Sequence, residues 1–103
     1  MVSAAPNRTA LVARIEGRRP HPSVGKWDVL TLRVVSSAPV DGYHDMIRAH
    51  PGQQLTVAVD RDWLPAEGDL SGRSVRLSAT VAGPDVITVA YADPAVTLLP
   101  DQA

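Results

Sequence analysis

The chain has 103 residues, no cysteine and a net charge of −1. That length suits one domain with a single modest core, and the cysteine count excludes disulfides, thiolate chemistry and all-cysteine zinc sites. Apolar residues make up 45% and charged residues 20%, the balance of an ordinary globular domain rather than of a disordered or membrane-spanning chain.

With no phenylalanine, two tryptophans and two tyrosines, the core has to come from Val, Leu, Ile and Ala. The larger of these contribute roughly 1.5–3 kcal/mol each on burial, and β-branched residues pack well on a pleated surface. No apolar run approaches the eighteen or so residues needed to cross a bilayer. The opening MVSAAPNRTALVARIEG has no basic segment followed by a clean apolar one. The expectation is a cytoplasmic protein with no membrane partner. Residues 1–40 carry six basic groups against two acids, residues 41–103 four against nine, an asymmetry that can mark a face for an anionic partner. Nine of ten basic residues are Arg and nine of eleven acids are Asp, a bias of GC-rich bacterial coding that weakens any argument from arginine count.

In chain order, Ala10–Glu16 (ALVARIE) reads as a first strand, because Gly17 and Pro20 stop a helix there. Trp27–Val35 (WDVLTLRVV) is apolar on both parities and predicts a bent second strand whose two ends serve different faces, as a small barrel requires. Residues 36–53 hold Pro39, Gly42, Pro51 and Gly52 around a single helical turn predicted at Tyr43–Ala49. In Gln54–Asp60 the alternation puts Leu55, Val57 and Val59 inward. Residues 60–72 form a second connector, where Pro65 forbids a long helix but allows a 3-10 turn. Ser74–Val81 alternates over eight residues, with Val75, Leu77, Ala79 and Val81 on the buried face. Ala82-Gly83-Pro84-Asp85 is a turn tetrad, and Val86–Tyr91 returns as the other arm of a hairpin. Val96–Leu99 adds a short edge strand between Pro94 and Pro100.

Five main strands in this order and spacing resemble the OB-fold over residues 8–92. The resemblance implies an all-β, five-stranded Greek-key barrel with a short helical turn in a connector. An SH3-like barrel or a small β-sandwich fits the same strand count. The whole chain, 1–103, reads as a single domain, ordered over about 8–99, with loose termini at 1–7 and 100–103.

By the same resemblance a ligand would lie on the outer face of strands two and three, beside the loop between strands one and two. That loop, Gly17–Lys26, leads into Trp27, and the expected ligand-binding residues are Arg18, Arg19, His21, Lys26, Trp27 and Arg33. Cations next to an indole can follow a phosphate backbone while a base stacks, so single-stranded nucleic acid is one candidate partner. Scarce aromatics and a slightly negative charge argue against it. The apolar Trp63-Leu64-Pro65, together with exposed edge strands, favours a protein partner or a homo-oligomer. A third candidate is a metal site or small enzyme using His44 and His50 of GYHDMIRAHPG. Six residues apart, they leave one another's face on a helix and stand about 20 Å apart on a strand. No nucleophile elbow, P-loop or H-E-x-x-H is present. The expected function is therefore a non-enzymatic binding or assembly module, with no catalytic residue, metal or cofactor assigned and protein–protein contact ahead of nucleic acid.

Overall fold

The computed structural model describes residues 7–64, 70–92 and 94–100. Six strands form one sheet: β1 (Thr9–Pro20), β2 (Trp27–Pro39), β3 (Gln54–Asp60), β4 (Ser74–Gly83), β5 (Val86–Val89) and β6 (Val96–Leu98). The order is β1-β2-β3-β5-β4, and β4 returns to pair with β1, so five strands close into a barrel. Closure excludes the sandwich alternative and is consistent with the OB-like order. All pairings are antiparallel except β3 with β5. β6 lies outside the closed ring, paired to the first half of β4 as the edge strand expected there.

The core follows the alternation in the sequence. Leu11, Ala13 and Ile15 of β1, Leu30, Leu32 and Val34 of β2, Leu55, Val57 and Val59 of β3, and Val75, Leu77 and Ala79 of β4 are all buried. Two bulges lie in the β1–β2 ladder. One leaves Val35 of β2 without a partner between the pairs Val12↔Ser36 and Ala13↔Val34, and this extra residue is 55% exposed. The other leaves Glu16 of β1 unpaired between Ile15↔Leu32 and Gly17↔Thr31. A bulge adds strand twist and shifts which side chains face inward.

The barrel ends are closed differently. Where β1 begins and β2 finishes, the connector 40–53 folds across. His44 bridges Asn7, and the Arg8 amide donates to the His44 carbonyl at 3.0 Å. The Asp45 carboxylate accepts from the Thr9 hydroxyl at 2.7 Å and from the Arg48 and Ile47 amides at 2.9 and 3.2 Å. The connector is thus a lid built on a carboxylate-capped turn, not the helical turn expected at 43–49. An Asp side chain that accepts its own downstream amides competes with helical pairing. Ile47 and Ala49 pack on the core beneath it, whereas Met46 stays exposed. Asn7, at the boundary of the expected loose segment, is buried, and its side chain exchanges two hydrogen bonds with the Val81 backbone. The other residues expected to be loose, apart from Pro100, lie outside the described residues.

At the opposite end, a 3-10 turn at Arg61–Trp63 follows β3 directly, started by an Asp60 carboxylate that accepts from the Asp62 amide. Leu64 and Leu70 dip into the core there. Between β4 and β5, Asp85 takes a positive φ of 56° after Pro84, the φ pattern of a type II turn.

Replacing Asp45 by Ala leaves the fully buried Thr9 hydroxyl and two amides without their acceptor. The expected cost is about 1–3 kcal/mol, read as a lower urea midpoint with an unchanged slope; an unchanged midpoint would mean that the lid is not pinned by this carboxylate.

Candidate functional site

The face formed by β2 and β3 carries a groove of about 220 Å³. Arg19 at the end of β1, with His21 and Pro22 of the β1–β2 loop, stands on one side, and Asp85, Val86 and Ile87 of the β4–β5 turn and β5 stand on the other. Val29, Thr56 and Ala58 make the floor. The register explains this assembly. Residues directly opposite in an antiparallel pair point to the same face, and Val29 opposes both Arg19 and Ala58. Val29 points outward yet is only 6% exposed, covered where the loop turns back.

That loop is an organised turn. The His21 amide donates to the Trp27 carbonyl at 3.0 Å and the Trp27 amide to the Val24 carbonyl at 3.1 Å. His21 Nδ1 accepts from both the Ser23 and Val24 amides at 3.0 Å. Its ring meets Trp27 edge-on, at 6.1 Å between centroids and 85° between planes. The imidazole is therefore occupied in building the turn.

The bulge at Glu16 decides which arginine reaches the groove. Simple alternation from the inward Ile15 would put Arg19 inside and Arg18 outside. The extra residue instead sets Arg18 opposite the inward Leu30, and Arg19 opposite the outward Val29. Arg18 meets Asp28 inside the barrel end, Nε to Oδ2 at 2.6 Å, with both side chains largely buried. Arg61 reaches the other oxygen of Asp28 at 3.1 Å, and its amide donates to the Lys26 carbonyl at 2.9 Å. One buried carboxylate thus latches the end of β1, the start of β2 and the turn after β3. Burial opposes its charge, but the hydrogen bonds and positive charges of Arg18 and Arg61 outweigh that, so its pKa lies below the ordinary aspartate value.

Of the six expected ligand-binding residues, the groove receives Arg19 and His21. Arg18 is turned inward. Arg33 is held by Glu16, at 3.1 Å, and by the Gly52 carbonyl, at 2.9 Å. Lys26 and Trp27 do not line the groove. The two expected interaction residues also separate: Leu64 is buried in the core and offers no surface, while Trp63 is half-buried and rests on Tyr91. Closure of the barrel pairs most of the edges that a β-addition partner would need. Among the described residues, no three His, Asp or Glu side chains converge as metal ligands. His44 and His50 instead use their backbones in the lid, the latter exchanging hydrogen bonds with Gln53. The groove floor was missed in the sequence. Its one signal was Val29, an apolar residue on the outward parity of β2.

Comparison with known proteins finds no matching family model, no similar curated protein and no similar solved structure. No helix among the described residues is long and apolar enough to cross a membrane. The class of the protein therefore rests on its architecture: a small, closed, all-β barrel with a groove across one face.

The latch sets a pH dependence. The folded state holds the Asp28 carboxyl at a lower pKa than the unfolded chain does, so between those values the unfolded state binds more protons. The latch's contribution is complete above the ordinary aspartate value of about 3.9 and is lost as pH falls through the depressed one. Asp28→Asn should cost on the order of 3 kcal/mol at neutral pH, below the top of the range for breaking buried pairs because Arg61 is half exposed and screened. The difference from wild type should shrink below pH 4; a difference independent of pH would contradict the assignment.

Proposed function

We infer that the chain is a non-enzymatic, OB-like binding module that docks a protein partner through the groove on the β2–β3 face. The observation that carries this reading is the disposition of its charges. Two of the arginines best placed to follow a phosphate backbone are committed within the fold, Arg18 to Asp28 and Arg33 to Glu16. The groove keeps one cation, Arg19, and one anion, Asp85, neither with an ion-pair partner among the described residues. Between them lies an apolar floor with Val86, 46% exposed, at its rim. A mixed pair of charges around apolar surface suits a polypeptide, whose side chains bring both signs and methyl groups. A strand of nucleic acid brings repeated negative charge and would meet Asp85. The position of the groove, between the β1–β2 and β4–β5 loops, is where OB-folds hold their ligands.

A photo-crosslinking residue at position 86, with the exposed position 76 of β4 as control, tests the reading in cells. The expected result is a discrete protein adduct at 86, absent at 76 and lost when Arg19→Glu is added. Nucleic-acid adducts, reduced by salt, would replace the reading with the single-strand alternative; equal labelling at both positions would overturn the groove as the docking site.

A further inference from the structure

A second concavity, of about 320 Å³, lies beside the 3-10 turn and is lined by Asp62, Trp63, Tyr91, Ala92, Pro94 and Ala95. It shares no residue with the groove and stands independently of the function inferred for it. Its walls are two aromatic rings, Trp63 and Tyr91, whose centroids are 5.7 Å apart and whose planes meet at 71°. Trp63 is fixed from behind by the core, whereas Tyr91 is 69% exposed. An exposed tyrosine held against an indole at this angle makes an open corner, not a flat shelf.

The electrostatics of the corner point one way. The 3-10 turn separates its charges: Arg61 is drawn to Asp28 and the Trp27 carbonyl. Asp60 caps the turn, accepting from the Asp62 amide. Asp62 is exposed, lines the corner and has no ion-pair partner among the described residues. Aromatic faces are negative at their centres, and a carboxylate beside them adds to that field. The corner therefore attracts a cation. Among the described residues it lacks the converging ligands that an inorganic ion requires, and its two rings suit an organic one. A planar guanidinium would cover one ring only, while a tetrahedral alkylated ammonium can touch both rings and the carboxylate together.

We propose that Trp63, Tyr91 and Asp62 form a binding site for an alkylated ammonium group, carried either by a small molecule or by a methylated lysine side chain. The site holds the cation by charge and ring contact alone, with no covalent step.

The test follows the Trp63 indole N–H resonance of the intact chain, assigned with Trp27→Phe. The probes are choline, its neutral isostere 3,3-dimethyl-1-butanol, and a short peptide containing trimethyl-lysine beside its unmethylated form. Choline and the methylated peptide should shift Trp63 saturably, with the isostere and the unmethylated peptide about tenfold weaker. Tyr91→Ala and Asp62→Asn, both exposed changes that leave the core intact, should each weaken binding about tenfold, with the Trp27 resonance unmoved. Tighter binding of the methylated peptide than of choline names a protein side chain as the source; the reverse names a free small molecule. Equal shifts from choline and its isostere, or choline binding unchanged in Tyr91→Ala, would overturn the proposal.

Discussion

A single buried carboxylate organises one end of this barrel. Asp28 sits on the inward parity of β2 where the apolar core gives way to the rim, and charge there is tolerable only because two guanidinium groups meet it. Arg18 comes from the end of β1 and Arg61 from the turn after β3, so the pair of contacts joins three segments that are distant in sequence. The β1–β2 loop and the 3-10 turn take their positions from this junction. Both surface concavities are built on those two elements, one holding Arg19 and His21 and the other Asp62 and Trp63.

The opposite end shows the same logic with weaker partners. Asp45 is held below the ordinary aspartate pKa first by the Thr9 hydroxyl and then by the Arg48 and Ile47 amides, against the cost of its burial. It fastens the lid to the first residue of β1. A chain with no phenylalanine fills its barrel with small aliphatic side chains. Each end is then closed by aliphatic residues, Ile47 and Ala49 at one and Leu64 and Leu70 at the other, under a carboxylate that ties the covering segment down.

The alternation in β3 and β4 was legible in the sequence because one buried face forces a period of two, and the β4–β5 turn was legible through Pro84. The closed barrel followed from strand order. The lid at 40–53 was readable as a connector, but its form was not, since a carboxylate accepting three bonds leaves no periodic trace. The binding residues were the least legible part. Arg18 and Arg19 are chemically identical neighbours, and only the bulge at Glu16 decides that the first is structural and the second faces the groove. Nothing local marks such a bulge, because it arises from fitting β1 to β2 and β4 at once. Leu64 misled for a related reason: an apolar residue in a loop with a proline is as readily a barrel plug as a surface. Asp28, a charge within an apolar strand, was not read as a latch, because its partners Arg18 and Arg61 lie 10 and 33 residues away along the chain.

Amide hydrogen exchange in Asp28→Asn tests the organising role of this carboxylate most directly. If the latch positions the loop and the turn, the amides of His21 and Arg61, which donate to Trp27 and Lys26, should lose protection first and by more than the global loss of stability. The amides of Val75 and Leu77 in β4 should follow the global change alone. A uniform loss across β1, β2 and β4, with His21 and Arg61 no more affected than Leu77, would contradict it.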